Sequence, residues 1–150
     1  MTNDELISTL NNLIETSKDG AEGFKTCSED ASDPHLKEEL AKRSEGCTLA
    51  ARELQDLVIS LGGKPATGTS VAGTLHRRWV DIKAAILGKD DEAILNECER
   101  GEDTAVRSYR RALDKSLPPE VNLVIERQYQ GVLGTHDDVK RMRDQLHANH

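Results

Sequence analysis

The spacing of apolar and small residues is the feature that most restricts how this chain can fold. In the first such stretch they recur by alternating fours and threes, at Leu6, Leu10, Leu13, Ser17, Gly20, Phe24, Cys27 and Ala31. A helix with this repeat presents a continuous seam to a partner helix. Similar seams begin at Leu36, Leu95 and Val121. The chain is therefore predicted to form long helices that pack along their lengths.

Capping and turn residues mark where these helices begin and end. Thr2 and Glu5 have the spacing of a capping box, and Ser32-Asp33-Pro34 ends the first helix and starts the second. Gly62-Gly63 ends the second helix, and Leu117-Pro118-Pro119 separates the third from the fourth. The tight turns predict two antiparallel hairpins.

The segment between the second and third long helices decides the topology. Ser70 can cap a shorter helix that carries Trp79 on its apolar face, and Gly88 closes it. A connection of this length allows one crossover along the bundle. We therefore predict an all-α fold for residues 1–150 as a single domain: a ferritin-like, up-down-down-up four-helix bundle with a short helix in the crossover between helices two and three.

Charge and cysteine usage narrow the functional classes. A formal net charge of -7 would repel nucleic-acid phosphates and anionic lipid. The N-terminal residues lack the basic-then-apolar order of a signal peptide. Cys27, Cys47 and Cys98 are an odd number without a C-x-x-C pair, which favours a reducing compartment. We expect a soluble, cytoplasmic protein that binds neither nucleic acid nor membrane.

Glycines fall in the middle of all four predicted long helices at about one level: Gly20, Gly23, Gly46, Gly101, Gly131 and Gly134. Each costs helix stability by about 0.5–1 kcal/mol relative to alanine. Their shared level predicts that they make room for something inside the bundle.

Polar residues occupy seam positions near the same level: Ser17, Arg43, Glu102, Gln128 and Thr135. Buried polar groups need partners. We interpret them as a central polar layer in which Arg43 and Glu102 form an ion pair, elaborated by Gln128, Tyr109 and His136. Such a layer fixes helix register and needs no cofactor. This hypothesis favours a structural, non-enzymatic role.

The stretch ECERGED supports a second hypothesis, an iron or manganese site in a redox protein. Glu99 and Glu102 are one helical turn apart, and the turn positions place them level with His136. Glu22, level with Arg43, is a further candidate ligand. Ferritin-like di-metal sites also use Glu-x-x-His motifs, which the sequence lacks, and the guanidinium of Arg43 would oppose a divalent cation.

A third hypothesis is that the glycine-lined level forms a cavity for a small ligand. It predicts an open pocket at this level. Replacing Glu102 by glutamine would separate the first two hypotheses. The ion-pair hypothesis expects a loss of stability because Arg43 loses a charged partner, whereas the metal hypothesis expects a loss of bound metal.

Apolar residues beside the seams bear on oligomeric state. Ile7, Ile14 and Leu133 favour a homodimer if they are exposed, but they could equally pack inside the bundle. His76 could reach the central site or cap the short helix.

Several motifs together carry a family resemblance: LGGKP, GTLHRRW, ECERGED and GTHDDVKRMRD. The sequence resembles a bacterial family of small ferritin-like four-helix-bundle proteins that carries a domain-of-unknown-function label. The resemblance extends over essentially the whole chain and implies a ferritin-like bundle in the bacterial cytoplasm, with a stress-related role by analogy of fold. Ferritin and rubrerythrin relatives bind di-iron, but the missing Glu-x-x-His motifs set this chain apart from them.

Overall fold

Four α-helices make up most of the described chain. The computed structural model describes residues 1–68 and 91–148. The helices are α1 (Asn3–Asp30), α2 (Pro34–Ser60), α3 (Asp91–Leu113) and α4 (Pro119–Ala148), and no strand occurs in the two described ranges. The prediction of an all-helical chain with four long helices is confirmed. The predicted crossover helix, with His76 and Trp79, lies outside the described residues.

The helix ends fall where the capping patterns placed them. Thr2 and Glu5 form a complete capping box at the start of α1. Asp33 caps α2 by accepting a hydrogen bond from the backbone N–H of Leu36 at 2.9 Å. Just after α2, Gly62 has a φ of 80°, a left-handed conformation that glycine adopts without a Cβ clash. Local sequence therefore sets where the helices start and stop.

The position of a turn predicts which residues of its two helices lie opposite each other. The first hairpin follows this prediction, and the second is shifted from it. In the α1–α2 hairpin the Ser44 hydroxyl donates to the Ala21 carbonyl at 2.6 Å, as expected. In the α3–α4 hairpin Glu99 pairs with Arg143, and His136 contacts Asp103, so α4 is displaced by about one to two turns of 3.6 residues. Residues 114–118 connect the two helices.

Neighbouring helices from different hairpins also run in opposite directions. Between α1 and α3, Lys115 donates to the Thr9 hydroxyl at 3.0 Å, and the hydroxyls of Ser17 and Tyr109 lie 3.3 Å apart. Residue numbers along α3 therefore fall as those along α1 rise. Among the described residues the backbones of α2 and α3 do not approach closely, nor do those of α1 and α4. The helices therefore follow the order α1, α2, α4, α3 around the bundle.

Apolar side chains fill the two ends of the bundle. Fully buried members of these two clusters are Phe24, Leu40 and Leu95 at one end, and Leu10, Leu54 and Ile125 at the other. Between them lies the level that carries the mid-helix glycines and the polar seam residues. The packing between α2 and α4 is much sparser than in the other neighbouring pairs.

Two of the residues that favoured a homodimer lie inside the fold. Ile14 is fully buried, and Ile7 packs against the apolar cluster that contains Leu10. These two side chains give no support to a dimer surface, and the homodimer stays a prediction.

Asp91 fastens the start of α3 to the turn between α1 and α2. Its two carboxylate oxygens accept hydrogen bonds from the backbone N–H groups of Ser32, at 2.8 Å, and Asp33, at 3.0 Å. Hydrogen bonds to an ionised acceptor are stronger than neutral ones. This contact sets the level of α3 relative to the first hairpin.

Replacing Asp91 by alanine is expected to lower the free energy of unfolding by about 1–3 kcal/mol, because two backbone donors lose a charged acceptor. Urea denaturation followed by circular dichroism measures this change. Asp114 is the matched control, since it is exposed and its replacement by alanine should shift stability by about 0.5 kcal/mol or less. Equal effects of the two substitutions would contradict a fastening role for Asp91.

Candidate functional site

A cavity of about 580 Å³ lies at the level between the two apolar clusters. All four helices contribute to its lining. Buried residues of α1 and α3, including Ser17 and Glu102, form its floor, whereas the exposed Leu49 of α2 and Gly131 of α4 stand at its mouth. The cavity therefore opens where α2 and α4 pack sparsely.

Four of the mid-helix glycines line this cavity, one from each helix: Gly20, Gly46, Gly101 and Gly131. A Cβ placed on Gly46 or Gly131 would meet no atom within 4 Å, whereas one on Gly20 would lie 3.1 Å from Cys47 Sγ. The glycines of α2 and α4 thus leave open space at the mouth, and Gly20 allows α2 to approach α1 closely. Gly134 also has open surroundings but does not line the cavity.

A chain of hydrogen bonds crosses one end of the cavity and joins all four helices. The Tyr109 hydroxyl donates to Gln128 Oε1 at 2.8 Å and lies 3.3 Å from the Ser17 hydroxyl. Gln128 Nε2 in turn donates to Glu53 Oε1 at 2.7 Å. Burial raises the pKa of Tyr109, so the phenol stays neutral and keeps its proton for Gln128. The predicted membership of Tyr109 and Gln128 in one polar layer agrees with these contacts.

Two ion pairs connect α2 to α4 at the edges of the cavity. Glu53 pairs with Arg127, and Arg43 pairs with Asp138 at 2.7 Å. Desolvation opposes ionisation of Glu53, but hydrogen bonds from Arg127 and Gln128 hold its pKa below the ordinary value. These pairs supply much of the direct contact between the two helices.

Arg43 and Glu102 line the same cavity but do not form the expected ion pair within the described residues. The Arg43 guanidinium instead contacts Asp138, with Glu39 at 3.9 Å. Both of those carboxylates are partly exposed, so pairing there costs less desolvation than pairing with a buried acid. Glu102 Oε2 and Arg43 Nε are both buried and have no hydrogen-bond partner in the described part of the chain.

Glu102 is an acid of the cavity lining whose pKa is strongly raised. The side chain is 5% exposed, and burial raises its pKa to about 8, against the opposing attraction of Arg43 and with a further rise from Asp103. At neutral pH Glu102 is mainly a carboxylic acid and can donate a hydrogen bond. Burial, with a smaller effect of Glu102, also raises the pKa of Cys47 to about 12, so this thiol stays protonated.

The candidate metal ligands do not converge. Glu22 is exposed, Glu99 pairs with Arg143, and His136 Nε2 lies 2.6 Å from Asp103. Across residues 1–68 and 91–148 no group of three His, Cys, Asp or Glu side chains could hold an ion. The donor set described here does not fit an iron or manganese centre.

His136 is also separate from the predicted polar layer. It is absent from the cavity lining that Arg43, Glu102, Tyr109 and Gln128 share. The shifted register of the second hairpin explains this, because it places His136 opposite Asp103 on the outer side of α3. The structure brings together four members of the predicted layer and leaves the fifth outside.

Sequence reasoning missed the charged residues at the edges of the cavity: Glu53, Arg127 and Asp138. Each immediately precedes a seam residue of α2 or α4. Positions that flank a seam are where ion pairs form between packed helices. The sequence pattern that could have predicted these ion pairs is therefore the occurrence of opposite charges at flanking positions of the second and fourth helices.

These features define an all-helical protein with a polar cavity between its long helices. Residues 5–115 match the family described as a domain of unknown function (DUF2383), and the chain belongs to that family. The match includes α1, α2 and α3, with Arg43, Glu53 and Glu102, and ends before α4 begins. No curated protein matches the chain. In the part of the chain that the structure describes, no helix is long and apolar enough to span a membrane.

Stability is expected to fall as the pH rises from about 5 to 8 because of Glu102. The pKa of this group is about 8 in the folded protein against an ordinary value of 4.5, so the folded protein retains a proton that the unfolded chain releases. The stabilising contribution is complete below the lower value and is lost towards the higher one, at up to roughly 1.4 kcal/mol per pH unit. Urea denaturation across this pH range measures the slope.

The control for this slope is Glu102→Gln, which cannot ionise. It should be less dependent on pH than the wild type between pH 5 and 8, and more stable than the wild type at pH 8. This is opposite to the loss expected for an Arg43–Glu102 ion pair. A wild-type slope that the variant retains in full would assign the pH dependence to other groups.

Replacing Gly46 or Gly131 by alanine is expected to raise the free energy of unfolding by about 0.5–1 kcal/mol, because the helix gains propensity and the added methyl meets no atom. Gly20→Ala should gain less, since its Cβ would crowd Cys47 Sγ. Thermal denaturation of the three variants tests this order. A loss of stability in Gly131→Ala would show that the space beside this glycine is filled.

Proposed function

We propose that this protein binds a small molecule in the cavity between α2 and α4. The observation that carries the proposal is the carboxyl of Glu102, which lines this open space and whose buried Oε2 has no hydrogen-bond partner in the described part of the chain. Leaving a buried polar group unpaired costs about 1–3 kcal/mol. A bound molecule would supply the missing partner.

The size and lining of the cavity support a binding role. Its volume of about 580 Å³ lies within the roughly 300–1,000 Å³ of typical ligand pockets. Leu49, Ala105 and Val132 provide apolar wall, while Glu102 and Gln128 are among the few polar groups that converge on the space. This combination of apolar walls and a few placed polar groups is typical of ligand sites.

The cavity lowers the stability of the bundle, and this favours a functional role for its lining over a purely structural one. A purely structural layer would gain stability from alanine at Gly46 and Gly131 and from an apolar residue in place of an unpaired acid. Sites that depart from such local preferences are usually functional. The ion-pair hypothesis loses its main support because Arg43 is paired with Asp138.

We further propose that the bundle is ferritin-like, with helix directions up-down-down-up. The antiparallel contacts of α1 with α2, of α1 with α3 and of α3 with α4 support these directions. The long segment between α2 and α3 has the length for a crossover. The free thiols of Cys27, Cys47 and Cys98 support a reducing compartment such as the cytoplasm.

A fragment library that contains anionic, cationic and neutral compounds, screened by protein-observed ¹H–¹⁵N NMR, tests the binding proposal. Fragments are expected to bind and to shift the backbone amide signals of cavity residues such as Gly131 and Gln128. These shifts should exceed those of residues in the two apolar clusters at the ends of the bundle.

Gly131→Leu and Gly134→Leu form a matched pair for this screen. Both replace an exposed glycine of α4 that has open surroundings, and both raise helix propensity. Only Gly131 lines the cavity, so only its variant should lose binding. The proposal is overturned if no fragment binds at the cavity, or if the two variants bind fragments equally well.

A further inference from the structure

Two polar atoms that have no hydrogen-bond partner among the described residues lie in the lining of one cavity, on helices that face each other across it. Glu102 Oε2 belongs to α3, and Arg43 Nε belongs to α2. Glu102 is more than nine-tenths buried, so a partner for its Oε2 has to lie inside the cavity. Arg43 uses a different nitrogen, Nη2, for its bond to Asp138, which leaves its Nε–H without an acceptor in the described part of the chain.

We infer that the natural ligand is a small carboxylate, with its head group between Glu102 and the Nε–H of Arg43 and an apolar body along the α2–α4 mouth. This inference rests on the proposed binding function and adds the chemical class of the ligand. A guanidinium nitrogen can only donate a hydrogen bond, and a protonated carboxyl can donate one as well. A hydrogen-bond acceptor therefore satisfies both atoms.

An amine would fit the same cavity poorly. It could donate to Glu102 but would offer nothing to Arg43 Nε, and its positive charge would lie in the cavity that the guanidinium lines. A carboxylate that shares the Glu102 proton instead forms a charge-assisted hydrogen bond, which is among the stronger kinds. The two orphaned atoms thus favour an anionic acceptor over a cationic donor.

The charged and titratable residues around Glu102 also bear on the charge of the ligand. From α2 it faces Arg43 and Cys47, and α4 contributes Arg127 to the cavity. Its own helix contributes Asp103, which is exposed, together with Cys98 and Tyr109. Residues of α1 in the lining are uncharged: Thr16, Ser17 and Gly20.

Most of these neighbours keep one charge state near neutral pH. A hydrogen bond with Cys27, together with burial, raises the pKa of Cys98, and burial raises the pKa of Cys47 and of Tyr109. Glu53, the other acid in the lining, is engaged by Arg127 and Gln128. With Glu102 protonated, the lining carries Lys42, Arg43 and Arg127 against Glu53. Lys42 also pairs with Glu39, and Arg43 with Asp138, outside the lining, so the attraction for an anion comes mainly from the Nε–H of Arg43.

Leu49 indicates where the rest of the ligand lies. It is one of the few large apolar side chains that are strongly exposed, at 56%, and it stands at the cavity mouth with Ala50 and Val132 further along the lining. Covering an exposed leucine with apolar surface is favourable. The ligand is therefore expected to combine its carboxylate with a hydrocarbon or aromatic body.

Octanoate, octylamine and 1-octanol test the head group, because they share one alkyl chain. Isothermal titration calorimetry with the full chain at pH 7 should give octanoate at least about tenfold higher affinity than either of the others, since hydrogen bonds to a charged group are stronger than neutral ones. The affinity for octanoate should fall as the pH rises above about 8, because Glu102 then loses the proton that the carboxylate shares.

Variants of Glu102 and Arg43 distinguish specific binding of a carboxylate from nonspecific binding of an alkyl chain. Glu102→Gln keeps an N–H donor, so it should bind octanoate with little pH dependence between 7 and 9.5. Arg43→Met should weaken octanoate more than 1-octanol, because only the carboxylate forms a hydrogen bond between opposite charges with the guanidinium. Arg141→Met is the matched control, since Arg141 also pairs with Asp138 but lies outside the cavity lining, and it should bind octanoate like the wild type.

The outcomes distinguish the two proposals. If octylamine or 1-octanol binds in the cavity as tightly as octanoate, or if Glu102→Gln keeps the wild-type pH profile, the carboxylate assignment is overturned while the cavity stays a ligand site. If neither these probes nor any fragment binds there, the proposed binding function itself fails.

Discussion

The cavity exists because α2 and α4 do not meet through an apolar seam. The other neighbouring helices pack closely, and their buried leucines and isoleucines hold the two ends of the bundle. Between α2 and α4 the contacts are instead two ion pairs and hydrogen bonds of Gln128, with glycines on either side. Since neither Gly46 nor Gly131 carries a side chain to fill the gap, the interior of the bundle stays open along this boundary.

That opening determines the electrostatics of the interior. Glu102 projects from α3 into a space where no described residue completes its hydrogen bonding, and its burial favours the protonated form. Arg43 is close enough to oppose this shift, but its guanidinium is held at the cavity edge by Asp138 and Glu39. The result is an acid that is mainly protonated at neutral pH in a cavity that a guanidinium also lines.

Local sequence patterns were enough to predict the helices, but they could not predict the long-range contacts between them. Thr2, Asp33 and Gly62 act within a few residues of their own positions, so their effect on helix ends is readable from the sequence. The partner of Arg43 is Asp138, almost a hundred residues away on a helix whose register depends on residues 114–118. The seam pattern indicated that Arg43 and Glu102 reach the interior, but it could not show which acid the guanidinium would meet. The mid-helix positions of Gly46 and Gly131 indicated a gap inside the bundle, but the spacing of these glycines could not predict its volume.

The ion pairs along the α2–α4 boundary have a consequence for kinetics. These two helices pack more sparsely than the other neighbouring pairs, so fluctuations of the bundle should concentrate there rather than at the leucine-rich ends. The pairs at the boundary are partly exposed, and dissolved salt screens such contacts more than it screens a buried one. Dissolved salt should therefore speed the exchange of molecules between the interior and the surroundings.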